Sequence, residues 1–170
     1  MDKYKNIIHI VKKELKDYFY SPIAYIVTAI FLIASGGLFF TSFFLYNQVE
    51  LRGFFSLLPL IFAAAIPAVT MRLFSDEFNI GSFEIIMTLP VTTIEILLGK
   101  FISAVIFIAF MLAPTILYAV FIAFLGDLDW GPVIGGYIGA LLLGSAFAAI
   151  GILCSSLTKN QIISFIVGIF

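Results

Sequence analysis

Between residues 72 and 100 the sequence reads RLFSDEFNIGSFEIIMTLPVTTIEILLGK, a polar segment that lies between two long apolar runs. With nine basic and ten acidic residues, the chain has nineteen formal charges, and six of them lie here: Arg72, Asp76, Glu77, Glu84, Glu95 and Lys100. Elsewhere the chain is strongly apolar, since 62% of all residues are hydrophobic, 11% are charged and the mean hydropathy is +1.17. This composition is typical of a membrane protein and excludes an ordinary soluble domain.

Four uncharged runs flank this segment and its neighbours, at 18–49, 53–71, 101–126 and 130–158. Each is close to or above the roughly 20 residues that cross a ~30 Å hydrocarbon layer as a helix. The sequence therefore predicts an all-α polytopic membrane bundle with spans at about 23–46, 54–71, 100–125 and 133–154. A fifth apolar run starts at 161–170 and is too short to cross, so we expect the chain to stop within a fifth transmembrane helix and to be a fragment of a longer protein.

Basic residues are distributed unequally between the two sides of this arrangement. Arg52 lies alone on one side, and eight basic residues lie on the other: Lys3, Lys5, Lys12, Lys13, Lys16, Arg72, Lys100 and Lys159. The positive-inside rule then predicts that the N-terminus, the loop at 72–99 (the polar loop) and the turn at Lys159 are cytoplasmic.

The segment at 1–21 is predicted to be an amphipathic helix. Apolar residues recur there every three to four positions, with lysines between them, as in a helix that lies in the membrane interface. A plain juxtamembrane anchor would have the same pattern, and both interpretations remain open. Ser21 and Pro22 predict a new helix start, with Ser21 as N-cap and Pro22 in the first helical position. The lone His9 and the lone Cys154 indicate no ligand site.

Two features of the predicted spans concern packing. Pro59 and Pro67 lie inside the second span and predict kinks, because proline removes a backbone donor. In the fourth span, small residues recur at every fourth position: Gly136, Ala140, Gly144 and Ala148. This stripe lets helices approach closely in lipid and is expected to be an internal packing face, with a subunit interface as the alternative.

Several kinds of chemistry are missing from the sequence. The four uncharged runs contain no Asp, Glu, Lys, Arg or His, which argues against ion-coupled carriers and intramembrane enzymes. No nucleotide-binding motif and no metal-ligand spacing is present. We therefore expect no catalytic residue, no cofactor and no metal in this chain, and no nucleic acid among its partners.

The polar loop is predicted to be two short helices. Gly81 interrupts the first, Pro90 ends the second, and Thr92 with Glu95 forms a capping box that starts the next span. Two basic and four acidic residues give the segment 72–100 a net charge of about minus two. Because anionic lipid attracts basic segments, this charge favours a protein partner, although a simple solvated connector remains the alternative.

The pattern Glu77-x-x-x-Gly81-Ser82-x-Glu84-Ile85-Ile86-x-Thr88-x-Pro90-Val91, with Glu95 and Gly99-Lys100 after it, resembles the cytoplasmic loop of ABC-2 type transporter permeases. The resemblance extends over essentially the whole chain. The segments at 21–23, 66–72 and 155–161 are most similar to the permease subfamily associated with gliding-motility ABC systems.

This resemblance implies a type V exporter-like subunit with six spans in the bacterial inner membrane. Its partners would be cytoplasmic ABC ATPase subunits that hold ATP and Mg²⁺, a second permease subunit (a homodimer or a paralogous heterodimer) and membrane lipid. The segment 1–21 would be the connecting helix, and the polar loop would couple to the ATPase through Asp76, Glu77, Gly81, Ser82, Glu84 and Pro90. A membrane anchor or scaffold that docks an ATPase without transport is the alternative function.

Overall fold

The computed structural model describes residues 3–46, 51–82, 91–126 and 128–169. In these ranges all regular structure is helical, which confirms the predicted all-α fold. The helices are α1 (Lys3–Tyr20), α2 (Pro22–Tyr46), α3 (Arg52–Thr70), α4 (Arg72–Ile80), α5 (Thr93–Leu112), a short 3₁₀ helix (Ala113–Thr115), α6 (Ile116–Leu125), α7 (Trp130–Leu157) and α8 (Gln161–Ile169).

Four helical segments among the described residues are long and apolar enough to cross a membrane. They are Pro22–Thr41, Arg52–Ile80, Thr93–Leu125 and Trp130–Leu157. The second contains both α3 and α4, which follow one another with only Met71 between them. The third contains α5, the 3₁₀ turn and α6, so Pro114 interrupts the α-helical hydrogen bonding in mid-span.

Helices α3 and α7 form the centre of the bundle. α3 packs on α2, α7 and α8, and α7 packs also on α4 and α5. Phe54 and Phe62 of α3 are fully buried, and the Phe62 ring stacks with Phe31 of α2 at 5.8 Å between centroids. α3 is assigned as one helix through both Pro59 and Pro67.

The small-residue stripe of α7 faces the interior. An added Cβ at Gly136 would collide with the Phe55 ring of α3, and one at Gly144 would lie 2.9 Å from Ile108 Cγ2 of α5. Ala140 and Ala148 are buried on the same stripe. Gly139, on another face, has nothing within 4 Å of such an atom. Among the described helices, the stripe therefore brings α7 against α3 and α5.

Helix α1 packs along α5, outside the bundle centre. Tyr18 stacks on Phe107 of α5 at 4.9 Å between ring centroids. Near the start of α5, Gly99 allows a close approach, because an added Cβ there would lie 2.8 Å from Ile10 Cβ. The amphipathic N-terminal helix thus uses its apolar face on α5.

Candidate functional site

Helix α4 forms the first part of the polar loop, and local chemistry defines both of its ends. It starts directly after α3 and stops at Gly81, whose φ of 76° lies in the left-handed region where glycine is favoured. The prediction of a short helix broken at Gly81 is confirmed. Glu84 and Pro90 lie outside the described residues, so the second predicted helix stays a prediction.

Ser155 of α7 binds the first turn of α4. Its Oγ accepts hydrogen bonds from the backbone N–H groups of Phe74, at 3.0 Å, and Ser75, at 3.2 Å. The same hydroxyl donates to the Met71 carbonyl oxygen at 2.8 Å. The first N–H groups of a helix lack acceptors within the helix, and the Ser155 hydroxyl of a neighbouring span is the acceptor for two of them here. The start of α4 is thereby fixed to α7.

Four charged side chains, Lys13, Glu14, Glu77 and Lys100, form what we call the four-charge cluster. Lys100 Nζ lies 3.0 Å from Glu14 Oε1 and 2.9 Å from Glu77 Oε1. Lys13 Nζ lies 3.4 Å and 3.2 Å from the same two oxygens. Two positive and two negative charges balance, which is how buried charges are tolerated. The cluster connects α1, α4 and α5.

Lys100 lies at the centre of this cluster. Its side chain is only 1% exposed, its Nζ also donates to the Leu73 carbonyl oxygen at 2.5 Å, and it lies 4.9 Å from the centroid of the Phe74 ring. A buried ammonium group needs several such partners, because its loss of hydration is costly. Lys100 therefore holds α4 against the first turns of α5.

Lys13 forms the outer edge of the cluster and is half-exposed. Partial burial by itself would lower the pKa of Lys13, but the negative charges of Glu14, Glu77 and Asp17 outweigh it and raise that pKa above its ordinary value. The Lys13 ammonium group therefore stays charged at neutral pH and stabilises the two carboxylates.

Glu77 lies in a place that the sequence did not suggest. The resemblance implied a role for it in coupling to the ATPase with Asp76 and Glu84, and the Glu77 residue is only 8% exposed. Its carboxylate is turned inward because Lys13 and Lys100 bind it there. Glu77 is therefore a link within the protein.

Asp76 connects α4 to two other parts of the chain. Its Oδ2 accepts from Arg72 Nε at 3.0 Å, and its Oδ1 accepts from the Gln161 side chain of α8. Arg72 also donates through Nη1 to the Ser21 hydroxyl at 2.8 Å, at the junction of α1 and α2. Ser21, predicted to cap α2, thus binds the start of α4, and α2 begins at Pro22 as predicted.

The end of α4 is the part that faces outward. Asn79, Ile80 and Gly81 are exposed, and Ile80 is 77% exposed although its side chain is apolar. Ser82 is half-buried, and its Oγ lies 3.5 Å from the Glu77 carbonyl oxygen. Of the predicted loop residues that are described, Gly81 and the nearby Ile80 are thus the ones most available to a partner.

The predicted capping box at the start of α5 is confirmed. Thr92 Oγ1 accepts from the Glu95 backbone N–H at 3.3 Å, and Glu95 Oε2 accepts from the Thr92 backbone N–H at 2.9 Å. Because this box starts α5 at Thr93, Lys100 lies two turns inside the helix. Lys100 is therefore placed among buried groups although it precedes the apolar run.

Sequence reasoning missed Glu14 and Ser155. The signal for Glu14 was its position on α1, three residues after Val11 and four before Tyr18, which puts a carboxylate on the apolar face. Ser155 begins the segment 155–161 of the resemblance, but nothing in that segment indicated its contact with α4. Within the described ranges, no group of three or more His, Cys, Asp or Glu side chains is arranged to hold a metal ion.

Comparison with known proteins gave a family match. The family model described as ABC-2 family transporter protein matches residues 8–170 of this chain. A search of curated proteins and a search of solved structures each gave no match. The matched region includes α4, the four-charge cluster and all four candidate membrane spans.

Proposed function

Because the chain belongs to the ABC-2 family of transporter proteins, we propose that it is the permease subunit of an ATP-binding cassette transporter. A separate ATPase subunit holds ATP and Mg²⁺, and this chain couples hydrolysis there to export of a substrate across the membrane. In this proposal the chain contributes no catalytic residue. Its task is to receive a movement at the membrane surface and to pass it to the spans.

The observation that best supports this task is the set of buried polar contacts around α4. Ser155 ties the start of α4 to α7, and Lys100 ties its middle to α5. Lys13 adds α1 to the same group. A force applied to a helix held in this way moves its neighbours with it, since packed interiors shift between discrete arrangements and deform little. A loosely attached connector would absorb the same force.

The proposed contact with the ATPase is the exposed end of α4. Ile80 offers an apolar side chain beside Gly81, and Asn79 offers an amide. An exposed apolar residue at the tip of an otherwise well-bonded helix is suited to a pocket on a protein partner. Asp76 and Glu77 take a supporting part in this proposal because their carboxylates already bind groups of this chain.

The test is co-purification with the ATPase encoded nearest to this gene. We expect Ile80→Glu to reduce recovery of the ATPase by roughly tenfold or more, because it places a charge where an apolar contact forms. The control is Lys12→Glu, which introduces the same side chain at an exposed position of α1. Equal recovery with wild type and Ile80→Glu would reject α4 as the docking element.

A second measurement separates transport from simple anchoring. The complex in vesicles should hydrolyse ATP faster when its substrate is present, whereas an anchor or scaffold would bind the ATPase with no such response. Stable binding with a constant rate of hydrolysis across candidate substrates would favour the anchor. The apolar spans make lipid-like or amphipathic compounds the first substrates to try.

Finer features of the proposal rest on the sequence motifs and on the family. We place the protein in the bacterial inner membrane with its N-terminus in the cytoplasm, and pair it with a second permease subunit. The segments at 21–23, 66–72 and 155–161 support the subfamily associated with gliding motility. Neighbouring genes for an ATPase and for motility proteins would support that assignment, and their absence in related genomes would remove it.

A further inference from the structure

A cavity of about 220 Å³ lies between α1 and α4. It is many times larger than the ~30 Å³ that one water molecule occupies in the liquid. Its lining includes Tyr18 together with basic and acidic side chains, among them Lys13, Asp17, Arg72, Asp76 and Glu77. It lies beside the junction of α1 and α2 and the start of α4.

Two side chains that line this cavity each keep a polar atom without a hydrogen-bond partner. In the described part of the chain, three buried side-chain atoms have this property, and two of them are Tyr18 Oη and Glu77 Oε2. Both residues are more than nine-tenths buried. Such atoms are costly unless something pairs with them, so each one in a native structure calls for an explanation.

The unpaired atoms of Tyr18 and Glu77 differ in hydrogen-bonding character, so a ligand that pairs with both needs an acceptor and a donor. Burial, assisted by the negative charge of Glu14, raises the pKa of the Tyr18 hydroxyl, so that group remains a protonated donor. Glu77 Oε2 is an acceptor. A ligand that pairs with both atoms must therefore accept one hydrogen bond and donate another, as a zwitterion with an ammonium group and an anionic oxygen does.

The charge of the side chains around the cavity narrows the class of ligand further. Lys100 is bonded to two of the acidic residues and has to be counted with the lining, so three basic residues, Lys13, Arg72 and Lys100, stand against four acidic ones, Glu14, Asp17, Asp76 and Glu77, which is three minus four. An excess of acid disfavours a purely anionic headgroup and favours one with a cationic end. Arg72 and Lys13, which already bind Asp76 and Glu77, can also contact an anionic oxygen, and Asp17 is an exposed carboxylate at the edge.

We propose that this cavity binds the headgroup of an amine-bearing phospholipid of the phosphatidylethanolamine class. Its phosphate faces Arg72 and the Tyr18 hydroxyl, and its ammonium group faces Glu77 and Asp17. The acyl chains extend along the apolar spans. This site is independent of the proposed transport activity and of ATPase docking, since it requires only that the protein lies in a bilayer.

The test compares lipids that differ only in the headgroup nitrogen. The full chain, purified in detergent, is melted with added phosphatidylethanolamine or with phosphatidylcholine of the same acyl chains. The quaternary nitrogen of phosphatidylcholine carries no N–H donor for Glu77. We expect phosphatidylethanolamine to raise the melting temperature by roughly 3 to 6 °C and phosphatidylcholine to raise it by much less.

Tyr18→Phe is the decisive variant because it removes only the hydroxyl and keeps the ring that stacks on Phe107. Without lipid it should melt at the wild-type temperature or above, since an unpaired buried group has been removed. The rise in melting temperature that phosphatidylethanolamine gives should be at most half as large in this variant as in the wild type. Tyr20→Phe, at a residue 79% exposed on the same helix, is the control and should keep the full gain.

Four results would overturn the proposal. The first is an equal gain from phosphatidylethanolamine and phosphatidylcholine, and the second is a full gain in Tyr18→Phe. The third is a larger gain from phosphatidylglycerol, which would indicate an anionic lipid. Soluble phosphoethanolamine is the last arm, and a full gain from it without lipid would assign the cavity to a free zwitterion and reject the lipid.

Discussion

At the scale of single residues, Lys100 carries the largest energetic consequence. Its ammonium group is 1% exposed and is shared by Glu14 and Glu77, which are themselves nearly buried. Removing one partner from a buried ion pair leaves an uncompensated charge and typically costs about 3–5 kcal/mol, much more than the pair itself contributes. The three side chains therefore depend on one another.

We predict that Lys100→Met strongly lowers the thermal stability of the purified protein, by about 3–5 kcal/mol in free energy of unfolding. Lys12→Met, at an exposed position of α1, should change it by less than about 0.5 kcal/mol. Adding Glu77→Gln to Lys100→Met should cost less than the sum of the two single changes, because the second removes a charge that the first left unpaired. Additive costs would show that the two side chains act independently.

At the scale of helices, α4 is short and depends on groups outside itself. A helix of nine residues has few internal hydrogen bonds and would be marginal in isolation. Ser155 compensates by binding two N–H groups of its first turn, and the four-charge cluster binds its middle. Contacts from α7, α5 and α1 thus stabilise α4 as a helix.

We predict that Ser155→Ala loosens α4 while leaving the bundle intact. It removes the hydroxyl that accepts hydrogen bonds from the N–H groups of Phe74 and Ser75, which costs about 1–3 kcal/mol locally. Hydrogen exchange should become faster at Phe74 and Ser75, with little change in α3. Ser156→Ala is the control, because its exposed hydroxyl bonds only within its own helix. Unchanged exchange in Ser155→Ala would mean that α4 is held by packing alone.

Much of the helix pattern could be predicted because its causes are local. Thr92 and Glu95 are three residues apart, Gly81 meets a backbone requirement of its own position, and the spans follow from runs of apolar residues. The candidate site was harder, because Glu14 and Lys100 are 86 positions apart. Counting charges along the chain gave the net charge of the polar segment but no partners for Glu77, since nothing nearby in sequence reveals two lysines from other helices.

At the scale of the whole molecule, the arrangement of spans predicts which residues share a side of the membrane. Single cysteines in a Cys154→Ala background should separate into two groups. Asn79 and Lys159 positions should react with an impermeant maleimide only after the membrane is opened, and Arg52 and Asp129 positions should react in intact cells. The reason is the excess of basic residues on one side. The reverse pattern would invert the proposed orientation.

The four-charge cluster also has a consequence for biosynthesis. Glu14 leaves the ribosome long before Lys100, since 86 positions separate them. Until α5 emerges, Glu14 and Glu77 share Lys13 but not Lys100, and α1 lacks the helix on which its apolar face packs. A nascent chain arrested before residue 100 should therefore have two spans inserted and its N-terminal helix still free at the membrane surface. Early assembly is then completed when Lys100 emerges from the ribosome and binds Glu14 and Glu77.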